Sequence, residues 1–294
     1  MPIDTTVAVG AALPDRTFSW TESDVLLYHL GIGAGSRTGD NVDAGALRYT
    51  LDDDQLQVLP SFGVVAPTFH ETTQPSLDLP GCDIDLQMVL HGSQEVVVHA
   101  PIPASGTATL KTTISDVWDK GKAAVIVQLG EPSAWTASIS GPSAPPSSCA
   151  TKEVGAVTVA PQPRSSSPSA RPTPRRRTPS LPTRHCSTAS VATATPCMLT
   201  RRSPRAQGSP RRSCTGLCSY GIVLREVTDL LLDGDAARVG GFSARFAGVV
   251  FPGETVRVQA WDEGDRVVIS ATIASEHEQR DGSPVLADCV LTKA

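Results

Sequence analysis

The stretch from Thr215 to Trp261 constrains the fold more than any other part of the chain. Leu217, Tyr220, Val223, Leu224, Val227 and Leu230 recur at helical spacing and fall on one broad face. Asp233-Gly234 stops that helix. The run from Gly241 to Val250 then reads as a strand, Pro252-Gly253 as a turn, and Thr255 to Trp261 as a strand with alternating apolar residues. Asp262-Glu263-Gly264-Asp265 turns the chain into a further strand, Arg266 to Ile273, and Val285 to Thr292 is a last one. One apolar helix followed by antiparallel hairpins is an α+β pattern.

Three motifs in this region carry a resemblance. They are Gly216-Leu217-Cys218-Ser219-Tyr220-Gly221, Phe242-Ser243-Ala244-Arg245-Phe246-Ala247-Gly248 and Phe251-Pro252-Gly253-Glu254-Thr255. In order and spacing they resemble the second half of the MaoC-like, type 2 enoyl-CoA hydratases, such as the hydratase unit of peroxisomal multifunctional enzyme type 2. The resemblance implies a hot dog fold, a long helix wrapped by an antiparallel sheet. It also implies that Gly216 offers a backbone donor to a thioester oxygen, and that Leu217 and Tyr220 lie beside substrate. Arg245 and Phe246 have two readings: a strand-surface charge beside a core aromatic, or part of a wall facing coenzyme A.

The first 135 residues extend the resemblance. Trp20-Thr21-Glu22-Ser23-Asp24 leads into Leu27-Tyr28-His29-Leu30-Gly31-Ile32-Gly33, with Ser23 as expected N-cap and Gly31 as stop. Leu59-Pro60-Ser61-Phe62-Gly63-Val64 and Leu90-His91-Gly92-Ser93-Gln94 follow. Thr107 to Trp118 and Ala123 to Leu129 pair around Asp119-Lys120-Gly121-Lys122. All sit in the order of the same family's first half, which implies a degenerate hot dog that makes room for an acyl chain. His91 and Gly92 are then read as substrate-lining, with acid–base work by His91 the alternative. The whole is a double hot dog of two long helices, each wrapped by a sheet.

The middle breaks this pattern. Thr151 to Ser213 holds 12 Arg or Lys, one acid (Glu153) and ten prolines, a net charge of +11 against −16 elsewhere. At face value this is a disordered basic linker that would bind polyanions through blocks such as Arg175-Arg176-Arg177. The genetic code offers another reading. One nucleotide out of frame, each hidden codon takes the third base of one residue and the first two of the next. Ser190 to Thr200 then permits Ser-Gly-Asp-Arg-Asn-Pro-Leu-His-Ala-Asp, which contains the family's catalytic Asp-x-Asn-Pro-Leu-His. The same shift permits Glu-Gly-Gly-Trp-Gly-Gly-Asp-Arg-Gly over Thr151 to Ala160, and Gly-Phe-Pro-Arg-Pro-Ile-Leu-His-Gly over Gln207 to Gly216. Three family-like strings in order favour a frame that slips after about Trp135 and returns near Thr215. GC-rich DNA misread in this way yields Arg, Pro, Ser, Thr and Ala.

The catalytic Asp would thus lie astride Ala192 and Thr193, and the His astride Cys197 and Met198. Neither exists in the chain, Thr215 stands where the resemblance expects a further His, and His185 has no Asp nearby in sequence. The expected division is residues 1–149 as the first hot dog, 150–213 as an irregular basic segment, and 214–294 as the remainder of the second.

Within 294 residues, 40% of them hydrophobic, there is ample material for a core and no apolar run long enough to span a membrane. Met1-Pro2-Ile3-Asp4 starts no secretory signal, and seven cysteines without framework spacing point to a reducing compartment. The expected setting is cytoplasmic and bacterial. The resemblance implies (R)-specific hydration of a trans-2-enoyl-CoA, with the coenzyme A thioester as substrate and no metal or other cofactor. A homodimer is compatible with it, and nucleic acid and membrane are not expected partners. The chain as written is expected to be impaired, and the alternative function is a non-catalytic acyl-CoA-binding or interaction module.

Overall fold

The computed structural model describes residues 3–36, 47–51, 55–72, 78–84, 89–120, 123–133, 149–155, 186–193 and 213–294. Its first half opens with a short helix α1 (Thr5–Ala8), the strand β1 (Arg16–Trp20) and the helix α2 (Glu22–Gly31). The cap of α2 is Thr21, not Ser23. Thr21-x-x-Asp24 closes a reciprocal capping box: the Asp24 amide donates to Thr21 Oγ1 at 3.4 Å and the Thr21 amide to Asp24 Oδ2 at 2.8 Å. A second helix, α3 (Ser61–Val65), runs into a 3₁₀ turn (Ala66–Thr68).

The strands are β2 (Ser93–Val98), β3 (Gly106–Asp119), β4 (Ala124–Pro132), β5 (Cys149–Gly155), β6 (Cys186–Thr193), β7 (Val239–Phe246), β8 (Thr255–Asp262), β9 (Arg266–Ala274) and β10 (Pro284–Lys293). With β1 they form one antiparallel sheet of ten described strands, ordered β1-β3-β4-β5-β2-β7-β10-β9-β8-β6. The two halves therefore meet edge to edge. Across the seam β2 pairs with β7, from Ser93 opposite Arg245 to Val97 opposite Gly241. The hairpins at Thr107–Trp118/Ala123–Leu129 and Thr255–Trp261/Arg266–Ile273 lie where their alternation places them, each a residue or a few longer.

The long helix α4 (Gly216–Leu231) crosses this sheet. At about 1.5 Å per residue it is about 24 Å long. It ends as expected: Asp233 and Gly234 adopt positive φ of 56° and 69°, and the Gly234 amide returns to the Thr228 carbonyl at 3.1 Å. Its burial corrects the one-face reading. Every residue from Cys218 to Thr228 is buried, because β6, β7, β8 and β10 supply one wall and α2 with α3 the other. Gly221 marks the tight side, where α2 approaches closest. The polar residues this traps are paired: Arg225 lies 2.5 Å from Glu226 and 3.1 Å from Asp229, and its Nε donates to the Ile32 carbonyl.

Two further expectations change. The helix of the first half is only ten residues, against sixteen for α4, because Gly33 and Gly35 turn the chain at φ of 85° and 71°. The segment 150–213 is not irregular throughout. The backbone of β5 pairs with both β2 and β4, and that of β6 with β8. Both stretches contain Thr and Val, which suit extended backbone, and open strand edges stand ready to pair with them. The first structural unit thus runs past residue 149 into β5. Residues 156–185 and 194–212, with the 121–122 turn, lie outside the described residues.

Among the described residues no helix is long and apolar enough to cross a membrane, and no cluster of His, Cys, Asp and Glu is suited to a metal ion. Cys82, Cys214 and Cys289 are free, whereas Cys218 is disulfide-bonded, a bridge that cysteine spacing did not reveal.

Candidate active site

The start of α4 is an open helix end. Thr215 is its N-cap residue, extended at φ −69° and ψ 149°, but its side chain makes no capping bond and no acidic residue occupies the first turn. Among the described residues no side chain accepts from the amides of the first turn, which carry the positive end of the helix dipole. Gly216 is exposed and Leu217 half-buried.

A glycine is required here by a close approach. A Cβ at residue 216 would stand 2.8 Å from Phe246 Cδ1 and 3.0 Å from Cε1. Phe246 is the last residue of β7, and its amide donates to the Gly92 carbonyl at 2.9 Å. The His91 ring packs edge-on against the Phe246 ring at a centroid distance of 4.7 Å. His91 Nε2 lies 3.1 Å from the Ser93 carbonyl, so the tautomer that carries the proton on Nε2 donates there. Burial lowers the pKa of His91 and keeps the ring neutral. Its Nε2 proton is engaged and its basicity reduced, which suits a wall better than an acid–base group.

The structure thus brings His91, Gly92, Phe246 and Gly216 together across the seam between the halves. Two predicted neighbours fall elsewhere. Tyr220 is fully buried, donates its hydroxyl to the Phe242 carbonyl at 2.7 Å and stacks behind Phe246, at 4.5 Å from the Phe242 ring and 6.5 Å from the Phe246 ring. It supports the wall from the core and does not face substrate, because α4 is buried all round at that turn. Arg245 lies on the opposite face of β7 from its neighbour Phe246, as strand alternation dictates, and its Nε pairs with Asp288 Oδ2 at 2.7 Å in the open.

The structure adds residues that the sequence reading had not assigned. A small apolar cleft of about 40 Å³ runs from the start of α4 towards the first half. Leu217 and Cys218 form one side, and Tyr28, Gly31, Ile32 and Val65 the other. Gly221 was the available signal. A glycine in mid-helix marks a close contact, and its partner is the Tyr28 hydroxyl of α2.

Ala192 and Thr193, the positions that flank the hidden Asp, end β6 opposite Val256 and Thr255, and β6 runs against α4. Cys197, Met198 and His185 lie outside the described residues. Among the described residues an Asp–His contact joins His70 Nε2 to Asp24 Oδ1 at 2.9 Å, but Asp24 sits in the first turn of α2, at the end away from Gly31 and the cleft.

Residues 18–134 match the family described as MFE-2 hydratase 2 N-terminal domain, and residues 207–280 match the MaoC like domain. The chain is 42% identical to enoyl-CoA hydratase ChsH3 of Mycobacterium tuberculosis, over 100% of both chains. The chain belongs to the MaoC-like hydratase 2 family. It is also 29% identical to peroxisomal enoyl-CoA hydratase 2 of Arabidopsis thaliana, over 90% of this chain and 89% of that one. Among solved structures, a MaoC-like dehydratase from Phytophthora capsici superposes with a TM-score of 0.70 at 20% identity, covering 100% of this chain and 99% of that one. A Mycobacterium tuberculosis protein described as a double hotdog fold gives 0.55 at 11% identity, covering 98% and 96%. The fold of this MaoC-like chain is thus the double hot dog. Its two matched segments leave residues 135–206 between them, which overlap most of the stretch 151–213 where charge and composition break.

Proposed function

We propose that this protein is built as an (R)-specific hydratase of trans-2-enoyl-CoA thioesters, and that the chain as written has lost most of that activity through a shifted reading frame. The uncapped Gly216 turn at the mouth of an apolar cleft carries the first part of the reading. The thioester oxygen accepts a hydrogen bond from the Gly216 amide, where negative charge develops as water adds. The acyl chain lies along Leu217 towards Tyr28 and Val65. A water oxygen bonds to the β-carbon while its proton passes to a base, and an acid delivers a proton to the α-carbon; an Asp–His pair does both. Addition of water is redox-neutral, so the residues and the thioester suffice without a redox cofactor.

Both groups of that pair belong to the hidden frame, at Ala192/Thr193 and Cys197/Met198. Membership of a hydratase and dehydratase family supports the reaction class, and the charge and composition of residues 151–213, with their three hidden family-like strings, support the frame reading. A cytoplasmic location and a homodimeric state belong to the same proposal.

The test compares the written chain with one whose middle is restored to the hidden frame, each supplied with a trans-2-enoyl-CoA. Loss of the conjugated double bond is followed by absorbance and the product's configuration by chiral chromatography. The restored chain should form the (R)-3-hydroxy product. The written chain should be slower by at least the 10²–10⁴-fold typical of one acid–base group. Equal rates would refute the assignment of the missing pair. Binding without turnover by the restored chain would favour a non-catalytic acyl-CoA-binding module.

A further inference from the structure

The loop between β7 and β8, residues 247–254, touches the start of α4 at two points. Phe246, just before the loop, lays its ring against Gly216. Within the loop the Val250 carbonyl accepts from the Cys214 amide at 2.7 Å, two residues ahead of Gly216. The position of the Gly216 amide therefore depends on where this loop sits.

The loop is in turn locked by the start of β10 and by the connection that leads to it from β9. The amides of Ala247 and Gly248 both donate to the Val285 carbonyl, at 3.0 and 3.3 Å. A Cβ at Gly248 would stand 2.3 Å from the Pro284 carbonyl oxygen, so the two segments touch backbone to backbone. Arg280 closes the lock. Its Nε and Nη2 make a two-pronged pair with Glu254 at 2.8 and 2.7 Å. The same Nη2 reaches the Val249 carbonyl at 2.9 Å, next in sequence to the carbonyl that holds Cys214. The guanidinium lies 5.2 Å from the Phe251 ring centroid, and Glu254 Oε2 also accepts from the Phe251 amide at 2.8 Å.

We propose that Arg280, through Glu254 and the 247–254 loop, is a positioning residue that sets the Gly216 amide against the thioester oxygen. The proposal rests on the reading of Gly216 as that donor. Arg280 and Glu254 are part-exposed, at 30% and 20% of their side-chain surface. Pairs this accessible add little to global stability. A planar fork nonetheless fixes direction in a way a point charge does not. Small displacements of a donor are enough to spoil polarisation of a bound carbonyl.

The test uses the full chain and crotonyl-CoA labelled with carbon-13 at the thioester carbon. Isotope-edited infrared spectra at saturating ligand report how far the bound carbonyl stretch moves to lower frequency. The unsubstituted protein should show a clear red shift. Arg280→Met and Glu254→Gln should lose half of it or more with thermal midpoints nearly unchanged, and Arg280→Lys should fall between. A full red shift in both Arg280→Met and Glu254→Gln would overturn the positioning role and leave Gly216 untouched. If Arg280→Met fails to fold, Glu254→Gln decides alone, since it keeps the side-chain volume and loses the charged pair. Absence of a shift in the unsubstituted protein would overturn the Gly216 reading and this proposal with it.

Discussion

At Gly221 a methyl group would stand 2.5 Å from the Tyr28 hydroxyl oxygen and 2.9 Å from Ile32 Cγ2. The next Tyr28 atom, Cζ, is 3.4 Å away, an ordinary contact. Gly221→Ala should therefore destabilise the protein by about 1–3 kcal/mol, despite alanine's better helix propensity, because overpacking outweighs it. Adding Tyr28→Phe removes the clashing oxygen and should restore part of the loss. Urea midpoints of the two variants check this; a Gly221→Ala protein as stable as the parent would contradict the packing described. The single residue shows where sequence reading stops. The glycine was visible, but its partner lies in the other half of the chain, and periodicity carries no such pairing. Of the two readings open for Arg245 in the sequence, the structure gives the strand-surface charge, on the outer face beside Asp288.

Among elements, α2 is held to its half by a buried histidine. His29 is fully buried, with Nδ1 3.0 Å from the Tyr49 carbonyl and the Leu59 amide donating to Nε2 at 3.3 Å. Burial, with Arg225 nearby, lowers its pKa from 6.5 to about 4. The unfolded chain binds this proton at higher pH than the folded one. The stabilising effect is thus fully present above pH 6.5 and is lost as pH falls towards 4. A shift of this size corresponds to about 3 kcal/mol. The urea midpoint should fall between pH 7 and pH 5, and His29→Gln should flatten that slope; a midpoint independent of pH in the parent would contradict it. The elements themselves were largely legible. Alternation and Gly or Pro punctuation located α4 and the strands β8 to β10 to within a residue or two, whereas β7 ends at Phe246, four residues short of the expected Val250. The burial of α4 on all sides was not, because the covering layer of α2 and α3 comes from far away in sequence. Nor were β5 and β6, whose pairing is set by the strand edges they meet rather than by any pattern of their own.

Across the whole molecule, a family fold and a foreign composition share one chain. Residues 18–134 and 207–280 match their family, and the sheet closes across both halves through β2 and β7. Residues 151–213, most of which lie between these segments, carry a net charge of +11, against −16 for the remainder. A linker that evolved for solubility or polyanion binding explains the charge, but not three hidden family-like strings in their proper order. The nucleotide sequence across codons 130–220 decides between a linker and a slipped frame. A slipped frame requires one alternative frame, open throughout, that encodes Asp-x-Asn-Pro-Leu-His across Ala192 to Met198 and rejoins the written frame near Thr215. A stop codon in that frame, or a third base that excludes Asp at Ala192/Thr193 or His at Cys197/Met198, would contradict it.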